Sequence, residues 1–388
     1  MPQTEKLYYI QPPTEQFTAR VVSCEANGTN WSVVLDRTAF YPEGGGQLSD
    51  VGTLDGIAVL DVQEKGGVIF HTLTAPLEEG RQVEGRPDME RRLEMSQQHS
   101  GEHILSGTLH AMFGAENVGF HIGTDYLTMD TSLPISEEGL ARAEAYANQI
   151  IWNDVPIEAV WHTKEELQSL TYRSKKELEG PVRIVTIPDA DCCACCGTHV
   201  QRTGQVGMVK IIDWQKYKSG VRLFVVCGVR ALRYFEQKRA ETAQISNLLS
   251  AKPGLLAEAV RHQSKELEAA RFRVIQVENE LFEALAQPVQ PGENPIRMQP
   301  GLSPDALRRF CAALSRRTQG LCAVFSPNES GALSYALACT APNADLRPLC
   351  KQLNAAFSGR GGGKPGFVQG SLCGDFDTVQ TFLQTNFT

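Results

Sequence analysis

The sequence has 388 residues, 42% of them hydrophobic and 21% charged, which is typical of a soluble globular protein with more than one domain. Its net charge of −8, from 37 basic and 45 acidic residues, excludes a strong overall attraction for nucleic acid, so such a partner needs local basic patches. No run of about eighteen apolar residues and no apolar leader are present, so no membrane association is expected. The 11 cysteines, an odd number spread along the chain, favour a reducing compartment, the cytoplasm.

Residues 1–90 are predicted to form a small β-barrel or meander, because short runs of β-forming residues alternate with Gly, Asn and Asp turns. The runs are residues 17–23, 31–35, 57–62 and 68–72. Asn27-Gly28 is a hairpin signal between the first two. Residues 38–47 read TAFYPEGGGQ, whose glycines let the backbone approach a ligand closely, while a tight turn at the end of a sheet is the simpler interpretation.

Residues 91–230 are predicted to form an α+β layer, with helices on an antiparallel sheet. The predicted helices are residues 90–113, 136–153 and 164–170. The predicted strands are residues 119–123, 127–130, 158–162, 183–187, 205–213 and 221–227.

Two pairs of metal-ligating residues occur in this part of the chain. His99 and His103 are four residues apart, so they lie on one face of the predicted helix. Cys195 and His199 have the same separation in residues 191–200, DCCACCGTHV, which is predicted to be a loop. Imidazole and thiolate are zinc ligands, so these four residues predict a tetrahedral Zn²⁺ site. Three neighbouring thiols are alternatives to that of Cys195: Cys192, Cys193 and Cys196.

Residues 231–287 are predicted to form a helical hairpin, broken at Pro253 and Gly254. Apolar residues spaced roughly by sevens predict a coiled-coil seam within it. They are Leu255, Val260, Leu267, Val274 and Leu281. The hairpin either spaces two domains apart or forms a homodimer through the C-terminal region, and the sequence favours neither. Residues 287–304, with five prolines, are predicted to be a linker.

Residues 300–388 are predicted to form a compact α/β domain, with strands at residues 321–325 and 334–338 and a helix at 344–354. Residues 358–370 read SGRGGGKPGFVQG. Successive glycine N–H groups beside basic side chains can form an anion-binding nest suited to phosphate, while a Gly-rich loop without a ligand is the alternative. The residues of the predicted nest are Arg360, Gly361, Gly362, Gly363 and Lys364.

These motifs resemble, in the same order along nearly the whole chain, those of the alanyl-tRNA editing proteins, free-standing relatives of the editing domain of alanyl-tRNA synthetase. The C-terminal part resembles the synthetase domain that is shared with DHH-type phosphoesterases. The resemblance implies an α+β multidomain protein with a barrel domain at residues 1–90, a zinc-containing editing domain at 91–230, a hairpin at 231–287 and a DHH-associated domain at 300–388. It also implies a cytoplasmic hydrolase that deacylates mischarged tRNA(Ala), chiefly the seryl form with the glycyl form second.

The resemblance further implies the residues that contact the substrate. The glycine motif and the segment around residues 119–130, which resembles a family segment lining the editing pocket, supply Gly45, Gly46, Gln47, His121 and Thr128. For His121 simple packing is the alternative. The tRNA is expected to contact the C-terminal glycine run and its two flanking cations.

Two other functions compete with tRNA editing. His99-Ser-Gly-Glu-His103 also matches the H-x-x-E-H motif of zinc metalloproteases, in which Glu102 is the general base; in an editing protein Glu102 is expected to lie behind the ligands or to face solvent. A closed four-ligand zinc site is also compatible with a non-enzymatic RNA-binding protein. Within the editing hypothesis the zinc polarises the carbonyl, activates water, binds the amino group or shapes the pocket, and the sequence does not choose among these roles.

Overall fold

The computed structural model describes residues 2–174, 180–328 and 331–387. The chain divides into two compact units, Met1–Gln244 and Ile245–Thr388. In the part of the chain that the structure describes, no helix combines the length and the apolar character that a membrane span requires.

The first unit begins with a closed barrel of six strands in the order β2-β3-β7-β6-β5-β8. Strands β1 to β8 are Glu5–Lys6, Phe17–Asn27, Asn30–Leu35, Arg37–Thr38, Gly52–Leu54, Ile57–Lys65, Val68–Leu73 and Gln82–Pro87. The four predicted β-type runs lie in β2, β3, β6 and β7, and the left-handed Gly28 (φ 63°) closes the β2–β3 hairpin. Strand β8 was not predicted, because its inward-facing residues are Val83, Gly85 and Pro87 rather than a run of large apolar side chains.

The rest of the first unit packs a long helix, α1, against two antiparallel sheets. Helices α1 to α4 are Met89–Phe113, Glu137–Trp152, Lys164–Leu167 and Gly228–Leu249, the last of which crosses the division between the units. Strands β9 to β15 are Asn117–Ile122, Leu127–Thr131, Glu158–His162, Val182–Ile187, Asp191–Ala194, Val209–Tyr217 and Gly220–Cys227. The sheets have the orders β14-β15-β10-β9 and β11-β12-β13.

Helix α1 is the element around which this part of the unit is built. It begins at the N-cap Asp88, whose carboxylate accepts a hydrogen bond from the backbone N–H of Arg91, and ends at Gly114 in the left-handed conformation. Its middle third is buried on all sides, including the polar residues between Gln98 and His103. The polar side chains of a helix segment that is buried on all sides need hydrogen-bond partners from neighbouring elements. In this protein those elements also supply the other residues of the candidate site.

The cysteine segment differs from its prediction as a loop. Residues Asp191–Ala194 form β13, which pairs antiparallel with β12 from Ile187 back to Ile184, and the irregular backbone begins only at Cys195. The reason is the alternation of buried and half-buried residues, which suits a strand although the residue types are not typical of one.

The second unit contains the long helix α5 and a mixed five-stranded sheet in the order β16-β17-β18-β20-β19. Helices α5 to α8 are Leu256–Ala286, Pro304–Ser315, Arg347–Ala356 and Phe376–Asn386. Strands β16 to β20 are Ile296–Met298, Cys322–Pro327, Leu333–Ala338, Arg360–Lys364 and Phe367–Leu372. On α5 the predicted seam is exposed, with Leu267 52% and Val274 56% accessible.

The proline-rich segment 287–304 is not a linker, and that prediction is wrong. It contains β16, which pairs in parallel with β17, and the buried Ile296 lies in the core of the second unit. The carbonyl of Pro295 accepts a hydrogen bond from Ala323 N at 2.9 Å. Because β16 is an edge strand, prolines beside it leave the sheet's hydrogen bonds intact.

The glycine run near the C-terminus is also not an anion-binding nest. Residues Arg360–Lys364 form the edge strand β19, and its three glycines do not have positive φ, whereas a nest needs alternating helical conformations. Two of the glycines serve close packing instead: a Cβ on Gly361 would lie 2.3 Å from Tyr335 Oη, and one on Gly363 would lie 2.2 Å from the carbonyl oxygen of Phe367. The strand therefore exposes backbone and two cations along a sheet edge.

Candidate metal centre

Helix α1 and the loop after β13 bring the four predicted zinc ligands together. Cys195 Sγ lies 3.4 Å from His99 Nε2 and 3.4 Å from His199 Nε2. The rings of His99 and His103 are 5.3 Å apart, and ligand atoms from all four residues lie within 4.8 Å of one another. The three histidines are buried, while Cys195 is partly exposed.

The two histidines of α1 are each held at Nδ1 by a buried acceptor. Gln47 Oε1 lies 2.8 Å from His99 Nδ1, and Asp191 Oδ2 lies 2.8 Å from His103 Nδ1. A bond at Nδ1 fixes the orientation of the ring and leaves Nε2 as the ligand atom. The barrel, through Gln47, and the sheet, through Asp191, thus orient both rings.

Hydrogen bonds and close packing also fix the loop from Cys195 to His199. The guanidinium of the buried Arg183 donates to the carbonyls of Cys195 (3.1 Å) and Gly197 (2.9 Å). A Cβ on Gly197 would lie 2.0 Å from His99 Cε1, so only glycine lets the loop pack on that ring. Ser100 Oγ lies 3.2 Å from His199 Nδ1, so the third imidazole is also tied at Nδ1.

This arrangement fits a zinc ion. Zn–S and Zn–N bonds of about 2.3 Å and 2.0 Å in a tetrahedron place sulfur and nitrogen about 3.5 Å apart, close to the two separations of 3.4 Å observed. All three imidazoles present the same ring nitrogen, and all three have a partner on the other. The donor set of three nitrogens and one sulfur is one that zinc accepts.

The electrostatics of the group favour the ligand forms of Cys195 and His199. Burial alone would raise the pKa of Cys195, but the three surrounding imidazoles hold it well below its ordinary value, which favours the thiolate. Burial lowers the pKa of His199 to about 3, which keeps that imidazole neutral. Burial opposes charge on His103, yet the thiolate of Cys195 and, after it, the carboxylate of Asp191 raise its pKa well above the ordinary value, so this ring favours the imidazolium and would lose a proton on binding a metal.

The neighbouring thiols lie outside this group of four. Burial raises the pKa of Cys193 to about 11 and that of Cys196 above its ordinary value, so both favour the neutral thiol. Cys193 does come within 4.8 Å of His103 and Asp191. Cys195 is the cysteine that joins all three imidazoles.

A cavity of about 310 Å³ opens over the four-residue group. One part of its wall is aromatic and backbone-rich and comes from the N-terminal segment and the glycine motif: Tyr8, Tyr9, Tyr41, Pro42, Gly44 and Gly45. Another part is polar and comes from α1, the connection before β9, β9 itself and the segment before β12: Glu102, Ser106, Glu116, Asn117, Arg173 and Ser174. His99, His103 and Cys195 line the same cavity, so a small polar molecule in it reaches the metal ligands.

Glu102 is buried, at 4% exposure, and lines the cavity, so of its two expected positions, behind the ligands or facing solvent, the second is wrong. Its carboxylate accepts a short hydrogen bond from Asn117 Nδ2, and Asn117 Oδ1 accepts one from Gly119 N at 3.0 Å. The position follows from the helix, because Glu102 lies three residues after His99, on the same face, in the part of α1 that is buried on all sides. Glu102 therefore presents a fixed acceptor beside the metal group.

Only some of the residues predicted to contact the substrate line the cavity. Gly45 lines the cavity, whereas Gln47 is fully buried and binds His99 and the backbone N–H of Thr198. His121 and Thr128 are register partners on β9 and β10 and are not among the residues that line the cavity.

Gly46 packs against β9 rather than facing the cavity. Its carbonyl accepts a hydrogen bond from Ile122 N at 2.8 Å, and a Cβ would lie 2.6 Å from the carbonyl oxygen of Phe120. The substrate contacts of Gly46, Gln47, His121 and Thr128 stay predictions.

Several residues of the site were not predicted from sequence. Asp191 opens the cysteine segment, and a carboxylate beside candidate ligands is the signal that would have indicated a partner for a histidine. Arg173 binds Asp191 at 2.9 Å and Ser106 at 3.0 Å, and nothing in its local sequence indicates this role. Burial alone would raise the pKa of Asp191, but its bonds to His103 and Arg173 lower it, which keeps the group a carboxylate.

Two family profiles match parts of this chain. Residues 5–91 match the class II (A) tRNA synthetases, and residues 182–224 match the second additional domain of threonyl and alanyl tRNA synthetases. The second match covers β12, the cysteine segment and the sheet that follows it. The barrel and the metal-bearing region therefore define a protein that shares domains with the tRNA synthetases.

Individual relatives narrow the assignment. The chain is 32% identical to the alanyl-tRNA editing protein AlaX-L of Pyrococcus horikoshii, over 72% of each protein. It is 31% identical to the alanyl-tRNA editing protein Aarsd1 of Rattus norvegicus, over 60% of this chain and 61% of that protein. It is also 32% identical to the alanine–tRNA ligase of Pyrococcus abyssi, over 96% of this chain, but it spans only 42% of that ligase. The chain belongs to the family of alanyl-tRNA editing proteins.

Proposed function

We propose that this protein is a zinc-dependent hydrolase that removes the wrong amino acid from mischarged tRNA(Ala), chiefly serine and secondarily glycine. The observation that carries the proposal is the four-ligand group opening into a cavity of about 310 Å³, in a chain whose relatives are named alanyl-tRNA editing proteins. A cavity of this size accommodates an aminoacyl ester and excludes most of a tRNA.

The zinc would be held by His99, His103, Cys195 and His199. When bound, it supplies a Lewis acid that polarises the ester carbonyl, lowers the pKa of a water molecule or holds the amino group of the substrate. The chain's own residues prepare the site. Gln47 and Asp191 hold the rings in place, so little reorganisation is needed when charge develops during hydrolysis.

Glu102 is the proposed acceptor for the amino group of the ester. Its carboxylate is buried and faces the cavity, and Asn117 restrains it. A buried carboxylate attracts an ammonium strongly, because the surrounding dielectric is low. This role differs from that of a protease general base, in which the same carboxylate removes a proton from water.

The proposed organisation beyond the cavity follows the four predicted segments, residues 1–90, 91–230, 231–287 and 300–388. The cytoplasm, rich in tRNA and reducing for thiols, is the proposed compartment. The partner is tRNA(Ala), with Arg360, Lys364 and the glycines between them as phosphate contacts on the edge strand. The exposed seam of α5 is proposed either as a spacer or as the contact of a homodimer.

The test is deacylation of seryl-tRNA(Ala), glycyl-tRNA(Ala) and alanyl-tRNA(Ala) by the purified zinc-loaded protein. The expected order of rates is seryl, then glycyl, then alanyl. Glu102→Gln should retain zinc and raise KM while leaving substantial kcat. No deacylation by a zinc-loaded protein would contradict the proposal, and loss of kcat in Glu102→Gln with zinc retained would favour a protease-like general base.

A further inference from the structure

An exposed tryptophan packs on a half-buried tyrosine next to the cavity. Trp161 is on β11, the edge strand of its three-stranded sheet, and is 48% exposed. Its ring lies 5.6 Å from that of Tyr9, at an interplanar angle of 82°. Tyr9 lines the cavity, so the exposed indole is one side chain away from it.

Tyr9 is fixed to the loop that carries Cys195. Its hydroxyl donates to the carbonyl of Cys196 at 3.2 Å. The guanidinium of Arg183 lies 4.8 Å from the centre of its ring and also donates to the carbonyl of Cys195. The aromatic pair and the metal group therefore share one rigid support, so a ligand that contacts both is positioned by a fixed geometry.

The occupant that this geometry fits is a nucleic-acid base. In the proposed substrate the ester is carried by the ribose of the terminal nucleoside, so a planar base must lie one sugar away from the reacting carbonyl. Single-stranded nucleotides bind proteins by stacking their bases on exposed aromatic rings, whatever the base. An indole fixed by a neighbouring ring and left half exposed provides such a surface, whereas the net charge of −8 leaves overall phosphate attraction weak.

We propose that Trp161, supported by Tyr9, stacks on the terminal base of the acylated RNA and thereby positions its ester over the metal group. This inference rests on the proposed function and extends it to a residue that holds the nucleoside. Trp161 is a positioning residue, because it contacts the base and not the reacting atoms.

The kinetic test compares Trp161→Leu, which keeps apolar bulk without a ring, with Trp161→Phe, which keeps a ring. With seryl-tRNA(Ala), the Leu variant should raise KM by roughly 5- to 100-fold, the range seen when a base-stacking side chain is removed, with kcat nearly unchanged. The KM of the Phe variant should stay within about threefold of that of the unmodified protein, because a phenyl ring still stacks on a base. Trp152→Leu, at a tryptophan that is 67% exposed on α2, is the matched control and should change nothing.

Three results overturn the inference: an unchanged KM in Trp161→Leu, an equal rise in Trp152→Leu, or an equal rise in Trp161→Phe. Zinc content of each variant, measured alongside, shows that the metal group is intact.

A binding test separates this inference from the proposed function. A short single-stranded RNA ending in adenosine should quench tryptophan fluorescence of the zinc-loaded protein, and Trp161→Phe should remove the quenching while leaving the other three tryptophans. If Trp161 is quenched in a protein that deacylates nothing, base stacking on Trp161 is supported and the proposed hydrolase function is contradicted. If the protein deacylates its substrate and Trp161 contributes neither to KM nor to quenching, the hydrolase function is supported and base stacking on Trp161 is overturned.

Discussion

Two regions carry the motifs proposed to act on the substrate, and they are built in opposite ways. In the first unit, the three histidines of the metal group are buried, and each is bonded at Nδ1 to a side chain from a distant part of the chain. In the second unit, all five residues of β19 are exposed, and the strand offers backbone and two cations along a sheet edge. Enclosure suits a reaction, because fixed dipoles act strongly where water is excluded, while an open edge suits contacts with a large partner.

The largest effect is expected from removing a ligand of the enclosed region. Cys195→Ala should lose bound zinc and reduce deacylation by more than about 100-fold, because deleting a ligand costs more than the 10- to 100-fold typical of outer partners. Cys192→Ala is the matched control, since that thiol lies outside the group of four. Elemental analysis and single-turnover deacylation check the result, and full zinc content in Cys195→Ala would contradict the assignment.

A buried histidine elsewhere in the first unit gives a test through pH. His71 bonds Thr38 Oγ1 at 2.9 Å and the carbonyl of Val33 at 3.1 Å, and burial lowers its pKa from 6.5 to about 4. Between these values the unfolded imidazole binds a proton that the folded one does not. The contribution of His71 to the free energy of unfolding is therefore fully present above pH 6.5. It falls by roughly 3 kcal/mol as the pH drops to about 4.

Urea unfolding of the unmodified protein and of His71→Gln between pH 7.5 and 4 measures how much of the pH dependence of stability comes from His71. The variant should be less stable at pH 7.5 but should lose less stability on acidification. Parallel pH curves for the two proteins would show that His71 does not contribute.

The outer partners of the metal group should have an intermediate effect. Asp191→Asn replaces the carboxylate that bonds Nδ1 of His103 with a neutral amide and should weaken zinc binding by roughly 10- to 100-fold. Asp189→Asn makes the same charge change in an exposed turn two residues away and serves as the control. Competition with a chelator gives the two affinities, and equal values would mean that Asp191 is dispensable.

The contrast between the two regions also explains what the sequence could predict. His99, His103, Cys195 and His199 were predicted as a set because ligand chemistry and helical spacing are local properties. Asp191 and Arg173 were not, since their roles depend on how β13 packs against α1 and on partners that lie far away in sequence.

The same limit applies to the fold. Most β-type runs and helices with clear periodicity were predicted nearly at their observed bounds. The strand predicted at residues 205–213 is an exception, because a 3-10 helix, Thr203–Val206, precedes β14, which is Val209–Tyr217. The helix predicted at residues 164–170 ends at Leu167. Strand β8, with Gly and Pro at inward positions, and β16, flanked by prolines, form because a neighbouring strand pairs with them. The glycine run illustrates the limit most clearly, because glycine allows a nest and an extended strand alike, and packing against Tyr335 decided between them.

The smallest effect is expected at the open edge strand. Arg360→Glu reverses one exposed cation on β19, in a protein whose net charge of −8 leaves few basic contacts for RNA. Losing one phosphate contact weakens binding uniformly and lowers the salt dependence by about one counterion. We therefore expect KM for seryl-tRNA(Ala) to rise roughly three- to tenfold with kcat unchanged, because the ester in the cavity is untouched.

Lys351→Glu changes the net charge by the same amount on an exposed face of α7 and controls for that alone. Deleting residues 288–388 should raise KM further with zinc retained. If Arg360→Glu and Lys351→Glu behave alike, β19 is not a tRNA contact. If the deletion also leaves KM unchanged while shifting the protein from dimer to monomer in sedimentation, association of two copies becomes the better explanation for the second unit.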